Sequence, residues 1–388
     1  MTPPMIDNRN ILLAAGGTGG HVFPAIAVAE ELMKRGHTVS LATDARGTSL
    51  GNTLPGVDVH RISASGVRGG LLDKVKGVVS IGVGVLQARR LFRKLRPDCV
   101  IGFGGYPSVP TMVAAASRGL PTIIHEQNAV LGRANRLVSK RVSVIASSFD
   151  QTAGIDAGSK DKIVVTGNPV RAAFSTAREQ DYPQIGPNGE GVKILVLGGS
   201  QGARILSEIV PQALAEMPET LRRRFAITQQ CRSEDLENVR QVYAGANVSA
   251  ELSTFFDDVP DRMAAAHIVI TRAGASTVAE LAEAGRPAIL VPYLHATDDH
   301  QTANARAVEA KGAGWLIPQA GFTPEALTMR LESFVNLQNI LLDAAQAAHD
   351  FGGQNAAAAL AEQAERLMGI KHNGGHGPGV DPVREIAA

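Results

Sequence analysis

The stretch GGTGGH, residues 16 to 21, offers backbone N–H groups with almost no side chains in the way and ends on an imidazole. Ile11 to Ala15 before it reads as a buried strand, and apolar Ile26, Val28, Ala29 and Leu32 predict a helix after Pro24. A glycine loop at a helix N-terminus suits an anion, because unpaired N–H groups and the helix dipole both point at it, and phosphate is the default guest. Neither common phosphate fingerprint fits. The third glycine of a dinucleotide loop is replaced by Val22, and no Gly-Lys-Ser/Thr follows. The loop alone leaves phosphate binding and a plain tight turn both open.

The elements that would position such a loop recur along the chain. CVIGFGGYPSVPTMVAAA (99–116), VKILVLGGSQGARIL (192–206) and IVITRAGASTVAELAEAG (268–285) each run from a β-branched stretch through glycine into a helical pattern. Short strands HTVSLAT, PTIIHE, VSVIAS, KIVVTG, RFAIT and PAILVPY alternate with helical stretches between them. Such alternation predicts an α/β fold of parallel sheets covered by helices on both faces. Ligands of these sheets bind at the carboxyl ends of the strands, where all four glycine loops fall. The polar, Gly- and Pro-rich piece AAFSTAREQDYPQIGPNGEG separates two such halves. The expected organisation is a first doubly wound domain over 8–170, a linker over 171–191 and a second domain over 192–352, facing each other across a cleft. A helical stretch near 323–350 closes the second domain, followed by a C-terminal helix over 353–369 and a disordered tail over 370–388.

Composition narrows the classes. With 388 residues, 44% apolar and 19% charged, the chain is long enough for two ordinary domains, each with its own core. Two cysteines, Cys99 and Cys231, are too few for a disulfide framework or a zinc site and fit a reducing compartment. His372 and His376 fall in the expected tail and read as solvated rather than metal-binding. No secretory leader and no spanning stretch of 18 or more apolar residues is expected. The formal charge of +1 gives no nucleic-acid signature as a whole, but residues 68–96 hold eight Lys or Arg and one Asp, a local +7. Beside them runs the apolar stretch Gly77 to Leu86, too short to span a bilayer. This segment leaves two readings open: a helix with a solvated charged end, or contact with an anionic membrane surface. Apart from Phe92 it has no aromatic residue to stack on bases, which counts against nucleic acid.

Taken together, GGTGGHVFPAIAVA, GFGGYPSVPTMVAA, HEQNAVLGRANR, TGNPVR, LGGSQGAR, RAGASTVAELAEAGRPAILVPY and HATDDHQTANA closely resemble one bacterial family. Its members add N-acetylglucosamine to undecaprenyl-diphospho-N-acetylmuramoyl-pentapeptide in peptidoglycan synthesis. The resemblance runs from about Asn10 to Gly369, with the motifs in family order. It implies two facing Rossmann-like domains (a GT-B fold), with UDP-N-acetylglucosamine mainly on the second and the lipid-linked acceptor on the first. It also implies inverting transfer by direct displacement, with no cofactor and no metal. Such chemistry needs a base for the acceptor hydroxyl and a stabiliser for the departing diphosphate. No Asp-x-Asp motif is present; Asp257-Asp258 and Asp298-Asp299 read as capping or solvated pairs.

Carried over by position, the resemblance places Thr18, Gly19 and Gly20 against the donor and makes His21 the general base, a role imidazole suits because it titrates near working pH. Asn128 and Arg171 match donor-binding positions, and Ser200 matches a residue near the diphosphate. Phe256 stands where the family contacts uracil through the backbone. Ala275, Ser276, Thr277, Val278, Ala279 and Glu280 surround the nucleotide, with Glu280 assigned to the ribose hydroxyls. Gln301 reads the sugar hydroxyls, and Tyr106 and Glu126 fall on the acceptor side. An acceptor held in the cytoplasmic leaflet would bring the enzyme to that membrane as a peripheral protein, which favours the membrane reading of residues 68–96. Three rivals share parts of the pattern: a UDP-N-acetylglucosamine 2-epimerase, a non-catalytic nucleotide-sugar or lipid sensor, and a nicotinamide dehydrogenase using Asp44. The motifs GFGGYPS and HEQNAV, an intact His21, Glu280 and Gln301, and the incomplete fingerprint argue against them in turn.

Overall fold

The computed structural model of the protein describes residues 8–16, 19–44, 55–64, 71–186, 191–199, 203–337 and 339–370. Thr18, Ser200, His372, His376 and the expected tail from 371 onward lie outside the described residues.

Apolar runs such as NILLA and CVIG are buried on both faces, as strands in the middle of a helix-covered parallel sheet must be. The first sheet comprises β1 (Asn10–Ala14), β2 (Thr38–Thr43), β3 (Asp58–Arg61), β4 (Cys99–Gly102), β5 (Thr122–Glu126), β6 (Val144–Ser147) and β7 (Ile163–Val165). Their order is β3-β2-β1-β4-β5-β6-β7, with every ladder parallel. The connecting helices are α1 (Gly19–Lys34), α2 (Leu71–Leu95), α3 (Ser108–Ala116) and α4 (Arg133–Val138). A second parallel sheet follows, built from β8 (Val192–Leu197), β9 (Phe225–Gln230), β10 (Ala250–Ser253), β11 (Ile268–Thr271), β12 (Ala288–Leu290) and β13 (Gly314–Leu316). Its order, β10-β9-β8-β11-β12-β13, repeats that of the first sheet without the seventh strand. Each is the doubly wound dinucleotide-fold order, whose switch point lies between the first and fourth strands.

The remaining helices are α5 (Ala172–Arg178), α6 (Arg204–Glu216), α7 (Glu219–Arg222), α8 (Leu236–Gly245), α9 (Val259–Ala265), α10 (Ala275–Ala284), α11 (His300–Ala310), α12 (Pro324–Asn336), α13 (Asn339–Phe351) and α14 (Ala356–Leu367). Three features differ from the sequence-based expectation. Helix α1 begins at Gly19 rather than after Pro24, which sits inside it; His21 therefore lies in its first turn. The stretch near 323–350 is two helices, because the backbone leaves helical geometry at Leu337 (φ −129°, ψ 70°). The expected linker carries α5, whose Phe174 and Ala177 are buried in the core of the second domain.

Helix α14 returns to the first domain. Its Leu360, Ala361 and Ala364 pack with Ala25, Leu32 and Ile101, a burial worth about 1.5–3 kcal/mol for the leucine alone. The buried Glu365 carboxylate accepts from Arg35 Nη1 at 2.6 Å and lies 3.0 Å from His37 Nε2. Charged groups at such depth are tolerated because they are paired; the pairing also fixes where α14 docks.

Helix α2 carries the basic segment. A Cβ on its Gly84 would overlap the Ser63 carbonyl and lie 2.8 Å from Pro110, so glycine lets α2 approach α3 closely. Gly84, Ala88 and Phe92 face inward, while Val79, Val83, Leu86, Arg90 and Arg93 follow helical spacing along the exposed side. Among the described residues no helix is long and apolar enough to cross a membrane.

Candidate functional site

At the first switch point, Gly16 N–H donates to the Gly104 carbonyl at 3.2 Å, which draws the loops after β1 and β4 together. The ring of His21 lies against Gly104 and Gly105, both at positive φ (84° and 72°). A Cβ at Gly105 would sit 3.2 Å from both His21 Cδ2 and Gly16 Cα, so close approach and backbone conformation both call for glycine. Burial lowers the pKa of His21 below its ordinary 6.5, opposed by the nearby Glu126 carboxylate and by Gln127 and the Phe103 carbonyl. Its Nδ1 is buried without a hydrogen-bond partner. That nitrogen is sealed against Gly104 and meets no ligand; what suits His21 to take a proton from a hydroxyl is that a neutral-leaning imidazole lines the cleft.

The cleft, about 650 Å³, is lined by His21, Tyr106, Glu126, Asn128 and Arg133 from the first domain and by Asp298 and His300 from the second. Glu126 lines it but spends its oxygens on the protein. Oε1 accepts from Asn128 N at 3.0 Å and Nδ2 at 3.2 Å; Oε2 accepts from Gly132 N and Asn135 Nδ2, each at 2.8 Å. Its carboxylate builds the 126–135 loop, an occupation different from the acceptor contact expected for it. Behind the cleft, Gln127 Nε2 donates to the Phe103 carbonyl (2.8 Å) and to His125 Nδ1 (3.1 Å). His125 Nε2, 3.0 Å from the Gly167 carbonyl, therefore carries the proton, and burial pushes its pKa down to about 4. Both residues fall in HEQNAVLGRANR, where local sequence carries no sign of this buried pairing.

The second switch point differs. The Thr271 hydroxyl donates to the Leu197 carbonyl (2.8 Å), joining β11 to β8, and Arg272 Nη1 donates to the carbonyls of Val291 (3.0 Å) and Pro292 (3.1 Å). These bonds hold the loop from which α10 starts after Gly274, with Ala275, Ser276, Thr277 and Ala279 half-buried, Val278 buried, and Ser276 Oγ buried without a partner. Glu280, one turn further, forms an ion pair with Arg171 at 3.1 Å; burial raises its pKa and Arg171 draws it back. Arg171 also stacks 5.1 Å from the rings of Phe23 and Phe174. Phe256 has its side chain in the second-domain core beneath Arg262, consistent in geometry with a backbone role. Gln301 Oε1 accepts from Tyr293 N at 2.9 Å.

Gly19 and Gly20 form the start of α1, while Thr18 and Ser200 cannot be placed among the described residues. The paired aspartates are engaged individually: Asp258 with Arg262, Asp298 with Arg133 across the cleft, and Asp299 with the Thr302 hydroxyl. Among the described residues no three His, Cys, Asp or Glu side chains converge as a metal cage would require.

Two dinucleotide-order domains facing over one cleft define a class that includes sugar-nucleotide transferases and epimerases. A UDP-GlcNAc 2-epimerase from Neisseria meningitidis bound to UDP-GlcNAc matches with a TM-score of 0.63 over 91% of this chain and 99% of that one, at 16% identity, which shows the fold alone. The sequence separates the two. Residues 11–147 match the N-terminal domain of glycosyltransferase family 28, and residues 193–364 match its C-terminal domain. A Rhodospirillum centenum protein named UDP-N-acetylglucosamine–N-acetylmuramyl-(pentapeptide) pyrophosphoryl-undecaprenol N-acetylglucosamine transferase is 53% identical over 360 residues, 93% of this chain and 95% of that one. The crystal structure of Acinetobacter baumannii MurG superposes with a TM-score of 0.76 at 31% identity, covering 92% of this chain and 99% of that chain. The chain belongs to glycosyltransferase family 28, and within it to these N-acetylglucosamine transferases.

Proposed function

We propose that the protein transfers N-acetylglucosamine from UDP-N-acetylglucosamine to the C4 hydroxyl of the muramoyl sugar of undecaprenyl-diphospho-muramoyl-pentapeptide, with inversion and without a metal. The observation that carries this is the 53% identity to a transferase of that name over 93% of the chain. The geometry supports it: a half-buried, neutral-leaning His21 lines a cleft bounded by both domains.

In this mechanism His21 accepts the hydroxyl proton as the oxygen attacks the anomeric carbon and the bond to UDP breaks. Thr18, Gly19, Gly20 and Ser200, with the start of α10 at Ala275 to Val278, meet the diphosphate, where backbone N–H groups and helix dipoles offset the growing charge. Glu280 takes the ribose hydroxyls, the Phe256 backbone reads uracil, and Asn128, Ala279, Arg171 and Gln301 complete the donor site. Tyr106 lines the acceptor side, and Glu126 shapes it through its loop. Residues 8–170 with α14 form the acceptor-binding domain, 192–352 the donor-binding domain, and 171–191 the crossing between them.

The test is transfer of labelled N-acetylglucosamine to a short-chain prenyl-diphospho-muramoyl-peptide in detergent with EDTA. Product with release of UDP is expected. UDP-N-acetylglucosamine bound without transfer would move weight to the epimerase, and activity only after adding a divalent cation would overturn metal independence.

The exposed stripe Val79, Val83, Leu86, Arg90 and Arg93 supports peripheral binding to the anionic cytoplasmic face of the bacterial plasma membrane, apolar side chains entering the interface and basic ones meeting headgroups. Reversing Arg90, Arg93 and Lys94 to glutamate is expected to weaken binding to anionic vesicles at least about tenfold, at about 1 kcal/mol per basic residue, while leaving turnover of a soluble acceptor near the parent value. Sedimentation with such vesicles unchanged by the substitutions would remove α2 from that role.

A further inference from the structure

Asn304 of α11 is completely buried, and its amide is used in full across the domain boundary. Its Oδ1 accepts from the Ala129 N–H at 2.8 Å, and its Nδ2 donates to the Asn128 Oδ1 at 3.1 Å and to the Ala273 carbonyl at 3.0 Å. Ala129 and Asn128 belong to the β5–α4 loop of the first domain; Ala273 is the residue before Gly274, where α10 begins in the second. The bonds continue on the first-domain side. Asn128 Nδ2 donates to Glu126, and Glu126 holds Gly132 and Asn135. One side chain thus touches the loop that starts the proposed nucleotide helix and the loop that lines the proposed acceptor cleft. Ala129 itself is packed into the second-domain core, so the first-domain loop reaches across to meet it.

We infer that Asn304 is the positioning residue that registers the acceptor-side loop 126–135 against the start of α10, aiming Asn128 and the cleft wall at the donor. This deepens the transferase reading and rests on it. Only an amide fits this place: one oxygen must accept while one nitrogen donates twice, and a buried polar group that loses such partners is costly. Arg133–Asp298 also crosses the cleft, but Arg133 is half-exposed there and its ion pair is screened by solvent. Asn168 Nδ2 also crosses the boundary, to the Ala275 carbonyl at 3.2 Å, but Asn304 is the fully buried amide that bonds both the 126–135 loop and the residue leading into α10.

The Asn304→Ala protein is expected to bind UDP with near-parent affinity, because the second-domain bond of Asn304 ends at the Ala273 carbonyl, ahead of α10, whose start is held independently by Thr271 and Arg272. Its kcat/KM for the acceptor should fall roughly tenfold to a hundredfold, the usual cost of displacing a positioned group by about an ångström. Acceptor kinetics like those of the parent would overturn the assignment, and so would a loss of UDP affinity as large as the loss of transfer. Should the variant fail to fold, hydrogen exchange in the parent decides. UDP, which lacks the sugar that Asn128 would touch, should slow exchange at 127–132 as well as at 274–280. Protection at 274–280 alone overturns the coupling; protection at neither, with no UDP binding, overturns the donor reading instead.

Discussion

The two switch points share a strand order and do opposite things with their side chains. At the β1–β4 switch point the chain half-buries His21, backs it with the buried His125, Glu126 and Gln127 from the end of β5, and surrounds it with glycines and carbonyls. At the β8–β11 switch point it spends Thr271 and Arg272 on holding loops, starts α10 after Gly274, and places one carboxylate, Glu280, behind the helix start. One fold therefore supplies two tools: a nest of titratable groups suited to moving a proton, and a helix N-terminus suited to holding an anion. The topology fixes where a ligand can sit, and the side chains grafted on it decide what happens there.

The largest expected effect falls on the first switch point. Replacing His21 with alanine should lower kcat about 10²- to 10⁴-fold, the usual worth of a positioned base, with UDP binding little changed because the first domain's proposed diphosphate contacts at residues 18–20 use backbone N–H groups and the remaining nucleotide contacts lie on the other sheet. The pH profile sharpens the comparison. Burial lowers the His21 pKa below 6.5, so the neutral base persists below the ordinary histidine range and the acid limb of kcat/KM should lie under pH 6.5. The same depression gives a stability contribution that is present above the unfolded pKa and lost as pH falls. A His21→Ala enzyme with parent-like turnover and the same acid limb would leave the first switch point without its base.

This contrast was only half legible in the sequence. Strands β1, β4, β5 and β8 announce themselves as continuous apolar runs, and the glycine loops follow them. Strands β3, β10 and β13 do not, for DVHR, AELS and GWL are short edge strands with too little β-branched content, held by pairing with a neighbour rather than by their own pattern. Nothing in VNLQNI marks the break between α12 and α13, which contains neither glycine nor proline. Expected site residues fared similarly. His21 could be singled out because it ends a glycine loop, but its depth could not, since that depends on Phe103 and Gln127 arriving from β4 and β5. The Asn304 bridge joins atoms up to 176 residues apart, and local spacing carries no trace of it. The Arg171–Glu280 pair is hidden in the same way.

That pair gives the smaller test, on the second switch point. Glu280 is an acid whose pKa burial raises, with Arg171 offsetting part of the rise. A raised acid contributes stability that is complete below its unfolded pKa and declines as pH climbs through the folded one. The parent at neutral pH thus carries a charged group in a poor place, tolerable because Arg171, itself part exposed, faces it. Glu280→Gln removes that charge. The free protein should melt at the parent temperature or slightly above, and should lose the decline of stability with rising pH assigned to Glu280. Its affinity for UDP should fall about tenfold, since hydrogen bonds to an ionised acceptor contribute about 1.5–3 kcal/mol and a neutral amide gives less. Titration calorimetry with UDP and a melting series over pH separate the two consequences. Weaker UDP binding with unchanged or higher stability means the second domain keeps a half-buried carboxylate for its ligand at the expense of its own fold. Unchanged UDP binding with a lower melting temperature would make Glu280 and Arg171 a structural clasp, and the anion-holding tool would then reduce to the backbone at the start of α10.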